Sequence, residues 1–149
     1  MSRNVFTIFS DDVRHEVGGK VSYIGCYSGK LLVANFPVVL SKLCLTVKVT
    51  TPVSKPFEHL TVKVYKDDEL IAEGGVPQEE LKGKAPPESL GDEPASNKLR
   101  AIQIGFVFSP FMVDAPGLLR VRVENEGREL KGTGLRIQQA PEGMVLPMI

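Results

Sequence analysis

Tryptophan is absent from this 149-residue chain, and so is any excess of charge: 18 Lys and Arg balance 18 Asp and Glu. Without tryptophan, an aromatic platform for a ligand falls to Phe and Tyr. A net charge of zero argues against bulk attraction to nucleic acid or anionic membrane, though it leaves room for a local basic patch. No apolar run approaches the roughly 20 residues that a membrane span requires. No apolar stretch of signal-peptide length precedes the Asp11-Asp12 pair, so no secretory signal is expected. A cytoplasmic location follows as the expectation. The two cysteines, Cys26 and Cys44, are then expected to be reduced thiols. Long helical periodicity is missing too.

Two-residue alternation recurs in its place. Asn4 to Ser10 sets Val5, Thr7 and Phe9 against Phe6 and Ile8. Lys20 to Tyr27 reads as a second strand, and Lys30 to Ala34 as its hairpin partner across Ser28-Gly29. Between the first two, Asp11 to Gly19 is polar and reads as a helical turn or a loop. Phe36 to Leu40 is apolar but broken by Pro37, and reads as a buried crossover. Leu43, Leu45, Val47 and Val49 alternate with Cys44, Thr46, Lys48 and Thr50, which predicts a strand with one core face. Leu60, Val62 and Val64 do the same, and Leu70 to Gly74 returns from a charged turn as a hairpin partner. Leu99 to Phe108 is apolar on both faces and is expected to be central. Leu119, Val121 and Val123 alternate with Arg120, Arg122 and Glu124. Arg128 to Lys131, then Leu135 and Ile137, make the last pairing.

One domain over residues 1–149 is expected, an all-β antiparallel sandwich of the immunoglobulin-like or C2-like kind with about eight strands. Two segments stand apart. Residues 77–98 hold four prolines, several acids and few apolar side chains, and are expected to form a flexible excursion. Residues 140–149 form an apolar tail.

Chemistry-bearing clusters are sparse. Asp11, Asp12, His15 and Glu16 would share helical faces if that stretch were helical, but no distant ligand group completes a metal site, and a helix cap is the simpler reading. A thiol enzyme would have to unite Cys26 or Cys44 with His15 or His59, and buried structural thiols are the commoner outcome. Gly18-Gly19-Lys20 lacks the length and the following Ser or Thr of a phosphate loop. Asp67, Asp68 and Glu69 occupy a hairpin tip, where carboxylates stay solvated. No cofactor, metal or catalytic residue is therefore expected.

Two binding candidates remain. Lys48, Lys63, Arg120 and Arg122 point away from the core, with Arg100 and Arg136 nearby in pattern. If their strands share a sheet, they line a basic face to which Tyr65 and Tyr23 add rings, suited to a small anionic ligand such as a nucleotide or a sugar derivative. A normal wet sheet face explains the same cations, since Lys and Arg also discourage edge pairing. The second candidate is the tail: Met144, Val145, Leu146, Met148 and Ile149 either pack on their own domain or dock on a protein partner or a second copy by strand addition. The first expectation for function is a non-enzymatic binding or assembly module; the alternative is a binder of a small anion.

Two resemblances bear on this. Pro116-Gly117 through Val123, the Glu126-Gly127 turn and Leu135-Arg136-Ile137 resemble the closing hairpin of immunoglobulin-like and C2-like modules. Asp12-Val-Arg-His-Glu-Val-Gly-Gly-Lys20, Ile24-Gly25-Cys-Tyr-Ser-Gly29, Phe36-Pro37 with Leu40 and Leu43, the Lys-Asp-Asp-Glu hairpin and Pro77 with Glu79-Glu80 resemble an uncharacterised family of small proteins of proteobacteria and their phages. That resemblance spans more than half of the chain. It implies a β fold and a bacterial or phage setting, and it brings no catalytic residues with it.

Overall fold

Alternation becomes strand along most of the chain. In a computed structural model, which describes residues 3–82 and 98–144, the elements run β1 (Asn4–His15), β2 (Val21–Cys26), β3 (Lys30–Val33), β4 (Val38–Leu40), β5 (Leu43–Pro52), β6 (Leu60–Lys66), β7 (Glu69–Val76), α1 (Gln78–Lys82), β8 (Leu99–Phe108), β9 (Phe111–Val113), β10 (Gly117–Asn125) and β11 (Arg128–Gln139). One sheet has the order β2-β1-β5-β8, a second β3-β11-β10-β6-β7, and β4 pairs with β9 in a small ribbon. Neither sheet closes into a barrel. Eleven strands thus replace the expected eight or so, because several short segments pair that carry too few residues to show alternation.

The predicted core faces point inward. Leu43, Leu45, Val47 and Val49 of β5 join Leu60, Val62 and Val64 of β6, Leu119, Val121 and Val123 of β10, and Leu135 and Ile137 of β11 in one buried cluster fed by both large sheets. Burying a Val or Leu side chain contributes about 1.5–3 kcal/mol, so this cluster dominates the stability of the fold. The sheets approach closely at Gly132, where an added Cβ would lie 2.8 Å from Thr7 Cγ2.

Several expectations need correction. Asp11 to His15 continues β1 and pairs with β2 from Asp12↔Ile24 to His15↔Val21, so no helical turn forms there. Local polarity concealed a strand whose side chains are only half covered. Lys30 to Val33 does not return beside β2: Gly29 (φ 87) turns the chain into the other sheet, where β3 lies parallel to β11. The sheets are therefore not wholly antiparallel. Val38 to Leu40 is ribbon, not a plug, with Val39 exposed. β8 is an edge strand, because only β5 pairs with it among the described residues, and its Ala101, Gln103, Gly105 and Val107 face is open. Of the expected excursion, residues 78–82 form α1 with Leu81 buried in the core, and residues 83–97 lie outside the described residues.

β1 parts from β5 after the Ser10↔Cys44 pair and continues with β2 alone as a hairpin arm. The arm bends where Gly25 (φ 66) faces Asp11; a Cβ on Gly25 would overlap the Asp11 carboxylate. Tyr27 fixes this bend by donating its hydroxyl proton to Asp11 Oδ1. Burial first, and then the Asp11 carboxylate, push Tyr27 well above the ordinary tyrosine range. A raised folded pKa means that this contribution is complete below pH about 10 and is lost as pH rises through the folded value. Tyr27→Phe is expected to cost about 1 kcal/mol near neutrality, less than a buried bond because solvent reaches the ring. The gap between wild type and variant in urea titrations should narrow above pH about 10. A gap that is constant from pH 8 to pH 11 would remove Asp11 as its source.

Candidate anion-binding groove

Pairing across the five-stranded sheet gathers cations on its outer face. Arg122 of β10 lies opposite Lys63 of β6 on one side and Lys131 of β11 on the other. Arg120 lies opposite Tyr65. Arg136 of β11 lies opposite Leu118 and, across the parallel pair, beside Lys30 of β3. The β10–β11 register slips between Leu119 and Val121, where β11 carries an extra residue. This bulge around Gly132, Thr133 and Gly134 opens a groove of about 400 Å³ lined by Arg120, Arg122, Lys131 and Arg136. A bulge re-aims side chains in this way.

The cations are unequally compensated. Lys63 is 3.1 Å from Glu124 Oε2, and that hydrogen bond raises its pKa. Arg120 lies 3.5 Å from Asp68, donates from Nη1 to the Asp67 carbonyl at 2.9 Å and covers the Tyr65 ring with its guanidinium carbon 5.6 Å from the centroid. The Arg122 side chain is only 13% exposed; its Nη1 donates to the Val121 carbonyl. Its Nε lies 3.5 Å from Glu129 Oε1, near enough to attract but too poorly aligned to bond, and is a buried donor without a hydrogen-bond partner among the described residues. Lys30, Lys131 and Arg136 form no ion pair among those residues. Like charges directly opposite one another destabilise a sheet, so this arrangement favours a bound anion.

Of the residues expected on a basic face, Lys63, Tyr65, Arg120 and Arg122 do share one. Lys48 does not: it projects from β5 in the other sheet, opposite Phe6 and Gln103. Arg100 and Tyr23 also belong to that sheet. Lys131 and Lys30 went unrecognised in the sequence. For Lys131 the available signal was the Glu126-Gly127 turn, which sets Arg128 opposite Asn125 and hence Lys131 opposite Arg122; Gly132-Thr-Gly134 marks the bulge beyond it. Of the tail, Met144 is described and half-exposed, and residues 145–149 lie outside the described residues.

A second groove, of about 510 Å³, lies between the hairpin arm and the outer face of β5 and β8. The arm reaches over that face far enough for Gln103 Nε2 to donate to the Tyr23 hydroxyl at 3.2 Å. Cys44 and His15 both line this groove. The thiol is buried, which pushes its pKa up, and its Sγ is directed at the Asp11 carbonyl 4.0 Å away. A nucleophilic cysteine needs the opposite shift. Asp12 is occupied by Lys42 at 3.1 Å, which holds its carboxyl below the usual range. Among the described residues no three His, Cys, Asp or Glu side chains converge as metal ligands.

A family model matches residues 5–138, nearly the whole described chain. The chain belongs to a family of unknown function, DUF6941. No curated protein and no solved structure matches this DUF6941 member. Among its described residues no helix is long and apolar enough to cross a membrane.

Proposed function

We propose that this DUF6941 protein is a non-enzymatic binding module that holds a small anionic ligand in the groove at the β10–β11 bulge. The observation that carries this reading is the convergence of Arg120, Arg122, Lys131 and Arg136 on one concavity, two of them without an ion-pair partner among the described residues. A wet sheet face explains scattered cations; it does not explain a row of them set directly opposite each other. The Tyr65 ring supports the Arg120 guanidinium at the side of this groove. Two sheets sharing one core support a sandwich of immunoglobulin-like or C2-like type, with the parallel β3–β11 pair as its departure from a wholly antiparallel plan. The reading is of a protein of bacterial or phage origin, as the sequence resemblance implies, that works in the cytoplasm.

Calorimetric titration with inorganic phosphate, nucleotides and sugar phosphates tests the proposal. At least one should bind, and Lys131→Ala with Arg136→Ala should weaken it by about tenfold for each cation removed, the value of a charge-assisted hydrogen bond. Affinity should fall as salt rises. Absence of heat across the panel, or binding that the double variant retains, would sink the proposal.

A further inference from the structure

The spacing of the cations in the groove says more than their number. Arg122 and Lys131 face each other at the end nearest the Glu126-Gly127 turn. Arg136 stands at the other end, opposite Leu118 and beside Lys30 of β3. Along β10 these two ranks are four residues apart, Leu118 to Arg122, which is about 13 Å at the rise of a strand. Along β11 they are five residues apart, Lys131 to Arg136. In an unbroken strand, residues five apart point to opposite faces. The bulge at Gly132-Thr133-Gly134 supplies the odd residue and returns both side chains to the outer face. It therefore sets the separation of the two ends.

A single phosphate does not use both ends. Charge-assisted bonds to it are short, about 2.7–2.9 Å, so the cations that hold it must converge on one point. Arg122 is not free to swing toward Arg136. Its Nη1 donates to the Val121 carbonyl at 2.9 Å, and its Nε faces Glu129, which lies on the turn side. Arg120 sits between the ranks, but the Asp67 carbonyl and Asp68 draw its head off to the β6–β7 tip. Lys63 is taken by Glu124. The middle of the groove is left to the bulge, where Thr133 and two glycines offer no charge and no large side chain. Each end keeps a cation without an ion pair among the described residues: Lys131 at one, Arg136 and Lys30 at the other.

We infer, on the reading that this groove binds an anion, that its ligand is a bisphosphate: two phosphate groups at opposite ends of a neutral, hydroxylated spacer. One group seats on Arg122 and Lys131, the other on Arg136 with Lys30 beside it, and the spacer lies over the bulge. At about 400 Å³ the groove is within the size of small-molecule sites. Arg136 is the residue that tells this ligand from a more compact anion.

Calorimetry with probes of similar charge and different span is the test. Pyrophosphate carries its two phosphates on one shared oxygen and reaches one end only. Fructose bisphosphate, phosphorylated at both ends of the sugar, and adenosine with phosphates on two ribose hydroxyls span further. At least one of these long probes should bind tenfold or more tighter than pyrophosphate, and which of them does so tells a sugar spacer from a nucleoside one. Arg136→Gln should abolish that preference, whereas Arg122→Met should weaken compact and long probes alike and keep it. Equal affinity for compact and long probes would overturn the inference while leaving the groove an anion site, and so would a preference that Arg136→Gln retains. If no probe binds, the anion site itself is lost and the inference with it.

Discussion

Gly134→Ala is expected to destabilise the fold by about 3 kcal/mol, at the upper end of what overpacking costs. A Cβ there would lie 2.3 Å from the main-chain oxygen of Leu119. That neighbour is backbone in the middle of a sheet, paired with β11 and flanked by β6, so it has nowhere to move. The extra residue of β11 is accommodated only because position 134 has no side chain. The variant must therefore shift the register or break the bulge, and either change displaces Lys131 and Arg136 from the groove. Urea unfolding should show a lower midpoint with a similar slope. Gly105→Ala serves as the contrast: also a strand glycine, but with open space around its Cβ position, it should be neutral or gain a few tenths of a kcal/mol. If Gly134→Ala were as stable as wild type, the bulge would be soft and could not be what positions the cations.

The difference between these two glycines shows what a sequence can and cannot convey. Both interrupt an alternating run and look alike on paper. Alternation correctly marked Leu43 to Val49, Leu60 to Val64 and Leu119 to Val123 as strands with one core face, because a side chain's burial follows from the pleat. It failed where burial depends on which strand lies next door. Ala101, Gly105 and Val107 looked like a second buried face, yet they are exposed because β8 has a neighbour on one side only. Lys48 and Lys63 occupy equivalent places in their strands, and only strand order separates them by a whole sheet. The polar stretch Asp11 to His15 hid a strand, since an arm that reaches over a sheet's outer face has no continuous core to reveal it. Arg120 and Arg122 were recognisable as outward cations; Lys131 faces Arg122 in the register set by the Glu126-Gly127 turn, and Arg136 joins them across a one-residue slip that alternation alone cannot locate.

Arg122 then offers the sharpest separation of stability from binding. Its side chain is nearly covered, its Nε has no hydrogen bond among the described residues, and lysines stand opposite it on both neighbouring strands. The one carboxylate within ion-pair distance of it among the described residues, Glu129, is half-exposed and stays hydrated if the arginine is removed. Replacing a poorly satisfied, covered cation by an apolar side chain of similar length is commonly neutral or stabilising. Arg122→Met is thus expected to leave unfolding stability unchanged or to raise it by about 1 kcal/mol, through lost desolvation and relieved repulsion. The same change should weaken whichever phosphate-bearing probe the wild type binds by tenfold or more, because a guanidinium at the groove offers paired donors that methionine lacks. A residue whose removal helps the fold and harms binding is retained for binding. The opposite result, a loss of about 2 kcal/mol in stability with affinity intact, would make Arg122 a structural strut. The groove would then be left to Lys131, Arg136 and Arg120 alone.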